Sequence, residues 1–112
     1  MHAIVVSKPG GPEQLKYTTV PTPTLRPGWT LVKVHAFSIN HSEIFTRQGL
    51  SPNVTFPRIL GIDVVGTVVE TTSVKFFPEQ KVISIMGEMG RAFNGSYAEY
   101  VLIPNEQLYP LE

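Results

Sequence analysis

The densest polar cluster in this chain is Asn40-His41-Ser42-Glu43: an amide, an imidazole, a hydroxyl and a carboxylate in succession. Such groups hold polar ligands by hydrogen bonds, and two of them titrate. The same residues also have a purely architectural use. Asn40 is a good helix N-cap, Glu43 stands where a capping-box acid reaches back, and Gly49 supplies a left-handed stop. Cap duty alone would satisfy Asn40 and Glu43. The cluster nonetheless sits where a strand meets a helix, a common place for chemistry, and both readings stay open. Asp63 presents a similar choice. It stands near the mouth of an apolar run, where an ionised carboxylate is costly unless paired or hydrogen-bonded. Either it caps backbone donors beside a turn, or it marks the edge of an active-site cleft. His35, by contrast, reads as a solvated or edge histidine.

The elements that must position these groups are short strands. Ten prolines and nine glycines in 112 residues punctuate the chain heavily, and strands joined by turns are the natural outcome. Ala3 to Val6 and Leu15 to Val20 read as a hairpin around the turn Lys8-Pro9-Gly10-Gly11-Pro12. That turn has neither P-loop nor dinucleotide-fingerprint spacing. Pro21 to Thr24 is extended and poorly able to join a ladder. Trp29 to Ile39 reads as a long strand with Val32, Val34 and Ala36 on one face and Lys33 and His35 on the other. A short helix follows over 40–49.

The chain then reaches Pro57-Arg58-Ile59-Leu60-Gly61-Ile62-Asp63-Val64-Val65-Gly66-Thr67-Val68-Val69-Glu70, around which the rest is organised. Gly61 allows a sharp turn, and the Val- and Ile-rich run without polar alternation predicts a strand buried on both faces. Gly66 marks a place where another backbone or a ligand comes close. Lys81 to Ile85 and Ser96 to Ile103 read as further strands, with Tyr97 and Tyr100 filling or flanking the core and Pro104 stopping the last. The glycine-rich 86–95 segment reads as a mobile surface loop, with a substrate-contacting flap as the alternative.

Composition removes several function classes. Net charge is zero with no run of Lys or Arg, so the electrostatic footprint of a nucleic-acid or membrane-surface binder is missing. Without cysteine there are no disulfides and no thiolate zinc ligands, which fits a reducing, cytoplasmic setting. No apolar stretch approaches the roughly 20 residues that span a bilayer.

Taken in order, Asn40, Glu43, Arg47 and Gly49, then Leu60-Gly61-Ile62-Asp63-Val64-Val65-Gly66, then Gly95-Ser96-Tyr97-Ala98-Glu99-Tyr100-Val101, resemble the N-terminal half of medium-chain dehydrogenase/reductases. The nearest branch is the zinc-independent quinone oxidoreductases, and the likeness runs from Met1 to about Leu111. It implies a mainly β fold, a GroES-like distorted β-barrel with short helices, and residues 1–112 as the catalytic, substrate-side domain. The family's nicotinamide-binding Rossmann domain is absent from this chain.

The resemblance also implies roles. Asn40, Glu43 and Asp63 are the catalytic candidates, Asn40 donating a hydrogen bond to a substrate carbonyl and the two acids orienting the cleft wall. His41 and Ser42 fall near the cofactor. Phe45 and Arg47 join Asn40 on the substrate side, with Arg47 a candidate ion-pair partner for the acids. Phe45 stands where the family has Tyr, and Glu79-Gln80-Lys81 where it has Gly-Asp-Arg. Zinc is not expected: the zinc-dependent branch has Cys at the place of Asn40 and His-Glu at the places of Ile62 and Asp63, and Ile62 has no donor atom. Nor does the spacing of His41, Glu43 and Asp63 call for an improvised metal site.

The implied activity is NADPH-dependent hydride transfer to a quinone, enone or related carbonyl. This fragment is expected to be inactive without its own C-terminal Rossmann domain, and the complete protein is expected to be a homo-oligomer. A reductase of alcohols or enoyl thioesters is the near alternative. A free-standing GroES-like binding module without catalysis is the distant one.

Overall fold

The valine- and isoleucine-rich segments pair into two antiparallel sheets in the computed structural model, which describes residues 1–38, 43, 46–49, 54–85 and 89–111. The first sheet holds β1 (His2–Val6) between β2 (Leu15–Thr19) and the two-residue β4 (Arg58–Ile59). β1 and β2 form the expected hairpin, in register from His2 opposite Thr19 to Val6 opposite Leu15, with a 3-10 turn over Pro12–Gln14 completing the connection. Every residue of β2 is exposed.

The second sheet has the order β7-β3-β5-β6-β8, comprising β3 (Trp29–Ala36), β5 (Val64–Thr71), β6 (Lys81–Ser84), β7 (Tyr100–Pro104) and β8 (Tyr109–Pro110). Its centre is the β3–β5 pair, interrupted by register shifts at Leu31/Val32 and at Val34/Ala36. Such irregularities bend a sheet and increase its twist. One core, built around Val32, Val64, Val68, Val82, Met89 and Ile103, lies within this sheet. A smaller one gathers Ala3, Val6, Ile59, Leu60 and Tyr97 at the first sheet. The expected mainly β architecture is what the chain adopts.

Several element boundaries differ from the sequence reading, each for a physical reason. The 57–70 stretch is not one doubly buried strand. Arg58–Ile59 pairs with β1 in the first sheet, Gly61 turns the chain at φ 110°, and β5 then crosses the second sheet. Along β5 burial alternates, with Val64, Gly66 and Val68 buried and Val65, Thr67 and Val69 only half-buried. Gly66 meets the predicted backbone: a β-carbon there would lie 2.1 Å from the Lys33 carbonyl oxygen.

The last long strand begins at Tyr100 rather than Ser96, because 96–99 is occupied in bridging the two sheets. Ile4 N–H donates to the Tyr97 carbonyl at 2.8 Å, and Val34 N–H to the Glu99 carbonyl at 2.9 Å. β3 ends at Ala36, which is exposed, since the register shift after Val34 breaks the simple two-residue alternation. The described part of the glycine-rich segment is packed in place rather than lying on the surface as a loop. Met89 is fully buried, and a β-carbon on Gly95 would stand 2.1 Å from the Gly61 carbonyl. Residues 86–88 lie outside the described residues, as does the last, Glu112.

Candidate functional site

Glu43 is helical and only 4% exposed, although a lone carboxylate is costly to bury. The Tyr97 hydroxyl donates a short hydrogen bond to its Oε2. Tyr97 is itself fixed from both sides, its N–H on the Leu60 carbonyl at 3.0 Å and its own carbonyl on the Ile4 amide. Its ring lies 4.7 Å from that of Phe37, tilted by 38°. One residue, through its ring, hydroxyl and backbone, thus ties the helical segment, the turn after β4 and the segment after β3 together.

Phe37 leads to the second acid. The Ser38 N–H donates to Asp63 Oδ1 at 2.8 Å, a backbone capping bond across the start of β5. Asp63, half-buried, and Ser38 line a hollow of about 270 Å³ together with Phe37, Val65, Ile83 and Ile85. Phe37 and Ile85 are each more than two-fifths exposed. The result is an apolar depression with a carboxylate and a serine at its edge, and Glu43 is linked to it through Tyr97 and Phe37. Gly61 permits this closeness: a β-carbon there would fall 2.3 Å from Ser96 Oγ and 3.0 Å from the Tyr97 ring.

Of the sequence candidates, Asn40, His41, Ser42 and Phe45 lie outside the described residues, and with them the cap that Asn40 would make. Glu43 and Asp63 are placed as above. Arg47 directs Nε to the Gly10 carbonyl at 3.2 Å, while the Gly10 N–H returns to the Arg47 carbonyl at 2.9 Å. Its bond therefore runs to the β1–β2 turn and not to either acid. Gly49 stops the helical segment at φ 82°. His35 is exposed, with Nε2 3.1 Å from Thr67 Oγ1. Sequence reasoning assigned Tyr97 to the core and missed its hydroxyl. A buried Tyr usually needs a partner for that group, which was the available signal. Among the described residues no three His, Asp or Glu side chains come together as a metal-binding group.

The profile of the alcohol dehydrogenase GroES-like domain matches residues 26–112, more than half of the chain. The chain belongs to that family. This GroES-like domain is 34% identical to the quinone oxidoreductase of Mus musculus over an aligned length of 118, covering 99% of the chain and 33% of the relative. A zinc-type alcohol dehydrogenase-like protein of Schizosaccharomyces pombe is 33% identical over 93 residues, covering 82% of the chain and 28% of that protein. Among solved structures, a mycobacterial protein complexed with NADPH superposes with a TM-score of 0.87 at 28% identity, covering all of this chain and 35% of the other. The GroES-like domain therefore sits among medium-chain dehydrogenase/reductases, a superfamily of oxidoreductases, and spans about a third of the length of the curated relatives it matches. No helix of the described residues is long and apolar enough to cross a membrane.

Proposed function

We propose that this chain is the substrate-side, catalytic domain of a zinc-independent, NADPH-dependent oxidoreductase acting on a quinone, an enone or a related conjugated carbonyl. One arrangement carries the reading. The buried Glu43 is held by the Tyr97 hydroxyl, and Tyr97 leads through Phe37 to the apolar hollow edged by Asp63 and Ser38. An apolar depression with a few fixed polar groups suits a flat, conjugated substrate.

NADPH, when bound, supplies the hydride. No glycine fingerprint for its pyrophosphate occurs in these residues, so this chain would contribute walls at the nicotinamide end only, with His41 and Ser42 nearest the cofactor. Asn40 donates a hydrogen bond to the substrate carbonyl oxygen, stronger as charge develops there. Glu43, fixed by Tyr97, anchors the segment around it. Asp63 holds the Ser38 amide and so shapes the hollow's edge. Arg47 acts through its anchor on Gly10 rather than as an ion pair.

Zinc does not fit this donor set. Ile62 has no donor atom, the chain has no cysteine, and one oxygen each of Asp63 and Glu43 is already accepting a hydrogen bond.

The test is a comparison of the 112-residue chain with the product of its uninterrupted gene. NADPH binding is followed by nicotinamide fluorescence, and reduction of 1,4-benzoquinone and of an enone by loss of NADPH absorbance. The expected result is binding and turnover by a longer product only. If no longer product exists and the short chain ignores NADPH, the oxidoreductase reading fails and a non-catalytic GroES-like binding module replaces it.

A further inference from the structure

A second, larger hollow of about 590 Å³ shares no lining residue with the first. Its size falls within the range of small-molecule sites, roughly 300–1,000 Å³. Two aromatic rings, Trp29 and Phe93, meet edge-to-face at its wall with centroids 5.0 Å apart. The remainder of the lining comes from β1, β4, β7, residues 94–95 and the segment after β2, and is largely aliphatic and proline side chains with Tyr100 among them.

Among the described residues, two guanidinium groups and no carboxylate stand against this apolar lining. Arg26 is exposed, its central carbon 4.0 Å from the centroid of the Trp29 ring. Arg58 is half-buried, and its terminal nitrogens have only neutral acceptors. Nη2 reaches Thr55 Oγ1 at 3.0 Å, and Nη1 reaches Asn94 Oδ1 at 3.5 Å, an oxygen already taken by the Ile59 amide at 3.0 Å. Its Nε is shielded from solvent and has no acceptor among the described residues, so a groove ligand would meet Arg58 at its terminal nitrogens. Buried polar atoms left without a partner are rare in folded proteins and ask for a reason. Burial also holds the Arg58 guanidinium below the usual arginine range, though an arginine keeps its charge at neutral pH. No Asp or Glu is among the described residues that line this groove. The charge that complements this lining is an anion's.

We propose that this groove binds a small monocarboxylate with an apolar or aromatic body. The carboxylate meets Arg58 end-on at Nη1 and Nη2, where two parallel N–H···O bonds are the strong arrangement, and the body lies against Trp29 and Phe93. Arg26 closes the approach with a second positive charge. A neutral ligand of the same shape gains the apolar contact but leaves Arg58 without its charged partner, and a dianion or a bulky peptide is not called for by one recessed fork. The proposal uses none of the residues assigned to reduction, so it stands or falls apart from the proposed function.

Trp29 is the single tryptophan of the chain and lies in the groove wall, so its emission reports occupancy directly. The 112-residue chain is titrated with 4-phenylbutyrate and with 4-phenylbutyramide, which differ in charge but hardly in shape. The expected result is saturable change in Trp29 emission with both, the acid binding at least about tenfold more tightly, a difference of about 1.4 kcal/mol. In Arg58→Gln that preference should fall to within about threefold, the fold being checked by circular dichroism. If Arg58→Gln does not fold, Arg26→Gln decides: the acid should bind about threefold more weakly and the amide unchanged. Acid and amide binding alike to the unaltered chain would overturn the proposal. So would an emission spectrum indifferent to the acid at millimolar concentration, or, where it decides, an Arg26→Gln chain that binds the acid as before.

Discussion

Replacing Gly66 by Ala tests the centre of the second sheet with a single methyl group. The added carbon would stand 2.1 Å from the Lys33 carbonyl oxygen, 2.8 Å from Val32 Cγ1 and 3.1 Å from the Lys33 carbonyl carbon. Carbon and oxygen approach comfortably to only about 3.3 Å, so β3 and β5 must part locally by about 1.2 Å. β3 cannot simply slide away, because Lys33 is also paired with Tyr100 of β7 on its other side. Overpacking of this kind costs about 1–3 kcal/mol, and each ladder hydrogen bond lost adds about 0.5–1.5 kcal/mol. Glycine to alanine would otherwise gain about 0.5–1 kcal/mol in a strand. With two such bonds lost the net loss should be about 1–5 kcal/mol, a large part of the roughly 5–15 kcal/mol that holds a typical domain together. In urea, with a slope of about 1–3 kcal/mol per molar, the unfolding midpoint should drop by about 1–3 M. Glu70→Ala, on the exposed end of the same strand, should change stability by less than about 0.5 kcal/mol. If Gly66→Ala behaves like Glu70→Ala, the Lys33 carbonyl does not overlie Gly66 and β3 and β5 do not pair in this register.

Tyr97→Phe removes the hydroxyl from Glu43 and should cost about 1–3 kcal/mol in urea unfolding, with Glu43→Gln in the same background recovering part of it. Thr30 is completely buried, with its hydroxyl 2.7 Å from Thr71 Oγ1 and 2.6 Å from Asn105 Oδ1. Thr30→Val should therefore cost about 1–3 kcal/mol, while Thr30→Ser keeps the bonds and loses only a methyl group; equal losses would show that the hydroxyl is idle. Asp63→Ala removes the acceptor of the Ser38 amide and should cost about 1 kcal/mol, read from the thermal midpoint, with faster amide exchange at Ser38 by NMR. In the longer gene product, Asn40→Ala separates capping from chemistry. Stability lower by about 1 kcal/mol with turnover intact marks a cap, and turnover lost at unchanged stability marks a substrate contact.

What was legible in the sequence was what local chemistry controls. Pro and Gly placed the turns, β-branched runs placed the strands, and Gly61 and Gly66 announced a turn and a close approach that both occur. The two-residue β4 and β8 were not legible, since pairs this short have no period and exist only through their partners β1 and β6. Nor was the division of 57–70 between sheets, because a valine-rich run looks alike whether it is flanked on both faces or alternates. Asp63 was legible as a capping carboxylate, and the Ser38 amide is the donor it found. The Tyr97–Glu43 bond joins residues 54 positions apart, a pairing no local rule could supply. For the same reason the groove of Arg58 escaped notice: its lining comes from well-separated parts of the chain, none unusual by itself.

The bridge that 96–99 builds between the sheets sets a timetable for the chain's birth. The His2 amide is bonded to the Glu99 carboxylate 97 positions later, and Ala3 forms an isolated bridge with Ala98. A ribosome adding about 5–20 residues per second delivers that partner some 5–20 s after the first strand has been made. Throughout that interval Ala3 and Val6 lack the Tyr97 segment that buries them in the finished fold. The nascent chain thus waits with an unsealed apolar edge, the kind of surface that chaperones cover and that neighbouring nascent chains can capture.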